Sequence, residues 1–169
     1  PETQNTAALG KVSDYLAEHR YLDLYIPSGK WFLGGPVSIQ VPAPGGLRLV
    51  GGGQGVSSLC WNTGGLGLIA ADQGEDGLTG NAVTVEHLDL LCTGGTSGDA
   101  LTLSGGRAIA GRTTPGAVVQ HVNIRSYDAS GGRMHWQRGI VCTQNINPRL
   151  LNVTIDPING KHCVVLHGA

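Results

Sequence analysis

The first twenty residues place apolar side chains with the period of a helix. One face of the stretch NTAALGKVSDYLAEHR collects three apolar residues and one histidine: Leu9, Val12, Leu16 and His19. This spacing predicts an amphipathic α-helix. Asn5 or Thr6 is expected to cap it, because a short polar side chain accepts hydrogen bonds from the free N–H groups of a first helical turn.

From residue 21 onward the apolar runs are short, and glycine or proline interrupts them. The segment YIPSGKWFLGGPVSIQV, residues 25–41, turns twice within a few apolar letters, at PSG and at GGP. Later runs such as LRLVGGG, SSLCW and GLGLIAA have the same character. Short β-branched and aromatic runs between turn residues predict strands, and no second helical pattern follows. The sequence therefore predicts an all-β chain behind one helix.

The strand pattern repeats with a period of about thirty residues. Three segments align so that a histidine or asparagine falls at the same position in each: VTVEHLDLLCT (83–93), VVQHVNIRSYD (118–128) and PRLLNVTIDPI (148–158). A second series runs beside the first: DALTLSG (99–105), RGIVCTQ (138–144) and HCVVLHG (162–168). Units of this length without intervening helices are typical of a solenoid, whereas propeller blades need about 40–45 residues.

Stacking gives the aligned polar position a physical reason. Strands of neighbouring coils lie about 4.8 Å apart, so equivalent residues stack and the inward Leu, Val and Ile side chains form a core. The aligned residues His87, His121 and Asn152 then fall at a corner, where Asn tolerates a left-handed backbone. GGGQGV, residues 51–56, is interpreted as another corner and not as a phosphate loop, since no Lys-Ser/Thr follows it.

The order of these features resembles the N-terminal part of the pectate-lyase-like, right-handed parallel β-helix superfamily. There an amphipathic helix caps the first coil, a P-x-G-x-aromatic turn follows, and a glycine-rich segment comes next; here these are TAALGKVSDYLAEH, YIPSGKWFL and LRLVGGGQGVSSLCW. The segments VEHLDLL and LLNVTI resemble its strand repeats. The resemblance implies a single-stranded right-handed parallel β-helix, with a capping helix at residues 1–20 and coils over residues 21–169 that are cut short at the C-terminus.

Within that superfamily the chain is most similar to bacteriophage tailspikes and related polysaccharide depolymerases. This similarity implies a homotrimeric parent protein, in a virion tail or outside the cell, that binds and depolymerises a bacterial surface polysaccharide. The present segment is expected to hold the beginning of the β-helix and not the full active site. Two alternatives stay open: a non-catalytic structural or receptor-binding β-helix module, and a secreted bacterial polysaccharide lyase or uronan epimerase.

Charge and composition narrow the classes of partner. The net charge is -1 and only 14% of residues are charged, so no overall field favours nucleic acid or an anionic membrane. No stretch approaches the roughly 20 apolar residues that a membrane-spanning helix needs. We therefore expect neither a nucleic-acid nor a membrane partner. The 28 glycines fit a chain of short strands and tight corners.

The four cysteines, Cys60, Cys92, Cys142 and Cys163, form no CxxC pair and have no histidine at zinc-finger spacing. Three of them lie in apolar runs, SLCW, LLCT and GIVC, which favours buried thiols over disulfides or metal ligands. No metal and no cofactor are expected. Such thiols suit a protein that folds in a reducing cytoplasm before assembly.

Candidate chemistry follows from the alternation of the repeated strands. If the apolar residues of 83–92 point inward, one outer face carries Asp89, Asn123, Arg125 and Asp156. This face is interpreted as a sugar-binding strip, with Arg125 able to pair with a uronate or sialate carboxylate. Asp89 and Asp156 are weak candidates for an inverting glycosidase pair, whose carboxyl groups lie roughly 6.5–9.5 Å apart. The alternative is a solvated face on which Arg125 pairs with Asp156.

A second candidate is the polar segment YDASGGRMHWQRG, residues 127–139. Arg133, His135 and Trp136 gather there, and aromatic and arginine side chains on a loop suit carbohydrate stacking or a subunit contact. The alternative, weighed equally, is that Trp136 covers the core while the charged groups face water.

Overall fold

The computed structural model describes residues 1–42, 44–61, 67–71, 81–94, 98–104, 117–126, 136–143, 148–156 and 162–167. Within these segments lie one α-helix and thirteen β-strands. In chain order they are α1 (Glu2–His19), β1 (Tyr21–Ile26), β2 (Gly29–Leu33), β3 (Val37–Val41), β4 (Gly45–Gly51), β5 (Ser57–Trp61), β6 (Gly67–Ala71), β7 (Asn81–Cys92), β8 (Asp99–Ser104), β9 (Ala117–Ser126), β10 (Arg138–Thr143), β11 (Arg149–Leu151), β12 (Thr154–Ile155) and β13 (His162–His167).

The predicted helix forms, but its N-terminus differs from the expectation. It begins at Glu2 with Pro1 in the cap position, so the prediction that Asn5 or Thr6 caps it is wrong. Both side chains have other partners: Thr6 Oγ1 donates to the Glu2 carbonyl at 3.0 Å, and Asn5 Nδ2 donates to the Phe32 carbonyl at 2.9 Å. The Asn5 bond ties the start of α1 to β2.

The apolar stripe of α1 lies on the first strands, as the spacing predicts. Val12 and Leu16 are buried in the core, and Leu9 packs against it. His19, expected on the same stripe, is instead half-exposed and stacks on Tyr15 at 4.1 Å between ring centroids. A histidine ring gains less from burial than an aliphatic side chain, so the stripe ends one turn early.

Every described strand pairing is parallel, and each strand pairs with one from the next repeat along the chain. One sheet has eight strands: β1-β4 and β2-β5 both join the long strand β7, the second long strand β9 pairs with β7, and β11 and β12 pair with β9. The other sheet has five strands in the order β13-β10-β8-β6-β3. The prediction of an all-β chain behind one helix is confirmed, and its sheets are parallel.

The long strands bend at the predicted corner. The first half of β7 pairs with β4 and its second half with β5, and His87 lies between the two halves. His87, His121 and Asn152 have left-handed φ values of 57°, 53° and 50°. The rings of the two histidines stack at 4.7 Å between centroids. The expectation that this aligned column lies at a corner is confirmed, and the left-handed backbone expected of Asn152 is shared by both histidines.

The inward register of the repeats is also confirmed. The core contains all the residues of β7 predicted to point inward: Val83, Val85, Leu88, Leu90 and Cys92. Their neighbours in β9, Val119, Val122 and Ile124, are fully buried in the same core. Because side chains alternate between the two faces of a strand, this register decides which residues reach the outer face.

One corner admits no side chain at all. Gly51 ends β4 beside the His87 corner, and a Cβ atom there would lie 2.4 Å from the His87 carbonyl oxygen and 2.8 Å from Leu88 Cβ. Both neighbours belong to a paired strand and have no room to retreat. The close approach of β4 to β7 therefore requires glycine at this position.

We expect Gly51→Ala to lower the free energy of unfolding by more than about 2 kcal/mol, because the new methyl group overlaps backbone atoms. Gly10→Ala is the matched control, since a Cβ there meets nothing within 4 Å and alanine favours the helix interior by about 0.5–1 kcal/mol. Urea denaturation of both variants makes the comparison. Equal stabilities would contradict the close packing of this corner.

The left-handed backbone at Asn152 determines which substitutions this corner tolerates. Asn152 is exposed, so its substitution tests backbone conformation with little change in packing. Asn152→Val should lower the free energy of unfolding by about 1–2 kcal/mol, because a β-branched residue resists positive φ. Asn152→Gly should retain the stability of the parent chain, since glycine adopts this conformation without strain. Thermal unfolding would measure both, and a well-tolerated valine would rule out the left-handed corner.

Candidate functional site on the outer sheet faces

Asp89 and Asn123 lie side by side in register, but they are buried. Their exposed fractions are 5% and 6%, so the expectation that they form part of an exposed strip is wrong. Asp89 Oδ1 accepts a hydrogen bond from Asn123 Nδ2 at 3.0 Å, and Oδ2 accepts one from the Gly55 N–H at 3.0 Å. Asp89 holds the turn between β4 and β5 against the sheet and has no free carboxylate oxygen to offer a substrate.

Arg125 and Asp156 are half-exposed and form an ion pair, with Nε and Oδ2 3.5 Å apart. This arrangement matches the alternative in which the two side chains pair with each other on a solvated face. Such pairs contribute about 1 kcal/mol or less, because water screens them. Asp156 therefore faces Arg125, and the structure does not bring it together with Asp89 as a pair of free carboxyl groups.

The second candidate segment divides into two parts. Arg133 and His135 lie outside the described residues. Trp136 is 1% exposed, packs edge-on against Trp61 at 5.6 Å between ring centroids, and donates from Nε1 to the Arg125 carbonyl at 3.1 Å. The interpretation of Trp136 as a sugar-stacking residue is wrong, and the alternative that it covers the core is confirmed.

Arg138, the last arginine of that segment, ties two neighbouring strands together. Its guanidinium meets the buried carboxylate of Asp99 through two parallel bonds, Nε to Oδ1 at 2.5 Å and Nη2 to Oδ2 at 2.7 Å. The hydrogen bond to Asp99 raises the pKa of Arg138 above its ordinary value. This bidentate pair links β8 to β10 and serves the fold.

All four cysteines lie among the described residues, and all are free. Cys60, Cys92 and Cys142 are buried, as their apolar surroundings predict, and Cys163 is exposed. Burial raises the pKa of the Cys60 and Cys142 thiols to about 11 and also raises the pKa of Cys92. In the described segments, no three His, Cys, Asp or Glu side chains converge as metal ligands.

An exposed polar surface with aromatic side chains lies on β1, at the start of the eight-stranded sheet. Tyr21, Asp23 and Tyr25 point outward, while Leu22 and Leu24 between them pack against the core. Tyr21 is 65% exposed and Tyr25 is 56% exposed. In register beside Asp23 on β4 is Arg48. We call Tyr21, Asp23, Tyr25 and Arg48 the tyrosine platform.

Glycines on the neighbouring strand and turn seat the two aromatic rings. A Cβ atom at Gly46, the residue in register with Tyr21, would lie 3.1 Å from Tyr21 Cδ1. A Cβ atom at Gly52 would lie 3.3 Å from the Tyr25 hydroxyl oxygen. Both tyrosine rings therefore lean toward the second repeat. Because glycine has no side chain, Gly46 and Gly52 leave room for the rings and do not cover them.

A chain of ionic contacts fixes the centre of the platform. Arg48 Nη1 lies 3.3 Å from Asp23 Oδ2, and Arg48 Nη2 contacts Oε1 of the buried Glu86. Gln120 Nε2 donates to the other oxygen of Glu86. The hydrogen bonds that Arg48 donates to Glu86 and, to a lesser extent, to Asp23 raise the pKa of Arg48 above its ordinary value. The guanidinium is thus held in place between an exposed and a buried carboxylate.

The tyrosine platform was not predicted from the sequence, although part of its pattern is visible there. The run YLDLY alternates two tyrosines and an aspartate with leucines, which is the pattern of a strand with an aromatic outer face. The register that places Arg48 beside Asp23 depends on the length of the connection between β1 and β4. That length varies from repeat to repeat, so only the structure supplies the partner.

Comparisons with known proteins identify no relative. No family model, no curated protein and no solved structure matches this chain. Among the described residues, no helix has the length and the apolar character to cross a membrane.

The raised pKa values of the buried thiols make the free energy of unfolding depend on pH in the alkaline range. Unfolded cysteines lose their protons near pH 9, whereas Cys60 and Cys142 keep theirs in the native state up to about pH 11. The native state therefore binds more protons in this window, and the free energy of unfolding falls as the pH rises from 9 to 11, by about 1–3 kcal/mol per thiol.

Urea denaturation between pH 8 and 11 would measure this effect against the background of other titrating groups. Cys142→Ala should be less stable at neutral pH but should lose less stability on going to alkaline pH. Cys163→Ser is the control, because that thiol is exposed, and it should follow the parent chain. Identical pH profiles for all three proteins would show that the buried thiols do not resist ionisation.

Proposed function

We propose that this chain forms the N-terminal part of a right-handed parallel β-helix of the pectate-lyase-like kind. Three observations support the proposal. Each repeat contributes strands to the same sheets, every described pairing is parallel, and the aligned residues make the same left-handed corner in successive repeats. The buried face of α1, with Val12 and Leu16, packs on the strands of the first repeat, where a cap of the first coil would lie.

Its function, in this proposal, is to bind a bacterial surface polysaccharide at the tyrosine platform. The single observation that carries this function is the pair of exposed tyrosines on one strand, on either side of Asp23, which pairs with Arg48. Tyrosine rings present flat apolar surface to the C–H faces of sugars, and their hydroxyls are free to bond at the same time. The carboxylate of Asp23 supplies acceptors for sugar hydroxyls, and the guanidinium of Arg48 beside it supplies donors.

The spacing of the platform suits an extended chain rather than a single sugar. Tyr21 and Tyr25 are four residues apart on one strand, which places their Cα atoms about 13 Å apart at about 3.3 Å per residue. Such a separation exceeds the size of one sugar ring. A polymer that crosses the platform contacts both rings at once, which strengthens binding without a deep pocket.

Binding is the part of the tailspike-like function that the described residues support best. Asp89 and Glu86, the two carboxylates on the outer face of β7, are both buried and engaged by neighbouring side chains or backbone. This engagement favours the second candidate function, a non-catalytic receptor-binding module, over a depolymerase site within these repeats. A depolymerase activity of the parent protein, as a homotrimer on a virion tail, would then belong to other residues.

Affinity electrophoresis through gels that contain capsular or O-antigen polysaccharide tests the function directly. The chain should be retarded by at least one such polysaccharide. The double variant Tyr21→Ala/Tyr25→Ala should lose about tenfold or more in affinity, since the rings supply most of the contact area. Tyr15→Ala is the matched control, because Tyr15 is also exposed but stands on α1 and stacks on His19.

The outcomes separate the candidates. Retardation that depends on Tyr21 and Tyr25, without release of reducing ends, supports a binding module. Release of reducing ends by the chain itself would place a depolymerase in these repeats, and calcium-dependent unsaturated products would favour the lyase alternative. Equal loss of binding in the Tyr15 variant, or none in the double variant, would contradict the assignment to the tyrosine platform.

A further inference from the structure

The centre of the tyrosine platform is acidic at its most exposed point. Asp23 lies between the two tyrosines on the same strand, and its side chain is 70% exposed, against 48% for Arg48. A glycan that touches both rings must pass over this carboxylate. The first polar group that it meets there is an acceptor with a negative charge.

Among the described residues at the centre, the positive charges do not outnumber the negative ones. Arg48 is shared by two carboxylates, that of Asp23 on the surface and that of Glu86 beneath it. Arg20, which directly precedes Tyr21 and β1, donates from its guanidinium to the Pro44 carbonyl at 3.5 Å. These two cations and two anions cancel one another in number, so the platform has no net field for a uronate or sialate.

The other described cation in the column of Arg48 is too distant to change this balance. Arg149 lies in the column of Arg48, three strands further along the sheet. At about 4.8 Å per strand, the two arginines are separated by about 14 Å. Exposed charges at that distance are largely screened at physiological ionic strength, where the Debye length is about 8 Å.

We infer that the ligand of the tyrosine platform is an uncharged glycan that lies along β1, with a pair of neighbouring hydroxyls donating to the carboxylate of Asp23. This inference rests on the proposed polysaccharide-binding function and specifies its substrate class. A carboxylate has two acceptor oxygens and matches two adjacent hydroxyl donors. Arg125, the residue first considered as a partner of a sugar carboxylate, forms an ion pair with Asp156. It also lies in a different column of the sheet from Asp23 and Arg48.

Arg48 acts in this arrangement as a positioning residue. Its contact with Asp23 orients the carboxylate, and Glu86 and Gln120 hold Arg48 from below. Gly46 is a positioning residue of a second kind, since its missing side chain leaves the space into which the Tyr21 ring leans. A methyl group at Gly46 meets the flexible ring of Tyr21 before it meets any backbone atom, so it should move the ring while the fold is retained.

The experiment measures binding of the chain to four polysaccharides at low and high salt. Two are uncharged, a galactomannan and a β-glucan of the laminarin type, and two are acidic, polygalacturonate and polysialate. We expect binding to an uncharged polysaccharide that changes little with salt. Binding to both acidic ones should be at least tenfold weaker, since no net positive charge attracts them and the exposed carboxylate of Asp23 opposes their approach. Urea denaturation of each variant confirms that its fold is retained.

Two substitutions test the roles of the residues. Asp23→Asn should weaken binding of the uncharged polysaccharide about tenfold or more, because bonds to a charged acceptor are the stronger ones, and should narrow the preference over polygalacturonate. Gly46→Ala should weaken the same binding several-fold at unchanged stability. Tyr15→Ala again serves as the control without effect.

The results distinguish this inference from the proposed function. Tighter or equal binding of polygalacturonate or polysialate, especially at low salt, would overturn the inference and leave polysaccharide binding intact. Binding of an uncharged polysaccharide that Asp23→Asn does not weaken would also overturn it. Failure to bind any of the four, together with failure on the capsular and O-antigen gels, would overturn both.

Discussion

The left-handed backbone at one aligned corner determines the rest of the architecture. His87, His121 and Asn152 each turn the chain at the same place in successive repeats, so the strands before and after the corner stay in parallel register. Parallel strands about 4.8 Å apart stack equivalent side chains directly on one another. A change of register by one residue at this corner would bring the core residues of a whole strand to the outer face.

The same register explains why polar residues on the outer face have such different surroundings. Asp89 and Asn123 are neighbours across two strands and are buried beneath the turn that contains Gly55, whereas Asp23 stands in water at the start of the sheet. All three are polar residues on the outer sides of their strands. What distinguishes them is the presence of a covering turn, and this decides whether a carboxylate supports the fold or meets a ligand.

Sequence reasoning predicted the elements that depend on local pattern. The inward residues of β7 and the corner column follow from periodicity and are confirmed, and the stripe of α1 is confirmed for Leu9, Val12 and Leu16 but not for His19. Exposure was harder to predict, because the burial of Asp89 and Trp136 depends on contacts with residues distant in the chain. The tyrosine platform was missed for a related reason: Asp23 and Arg48 meet only once the strand register is known.

The turn between β4 and β5 has contacts that reach far forward in the sequence. Gly53 donates its N–H to the His87 carbonyl, Gly55 donates to Asp89, and Gln54 Nε2 donates to the Asn152 carbonyl across 98 residues of chain. The turn therefore cannot reach its final conformation when its own residues leave the ribosome. Its closure must wait for the third and fifth repeats, so an early segment of the chain is among the last to complete its contacts.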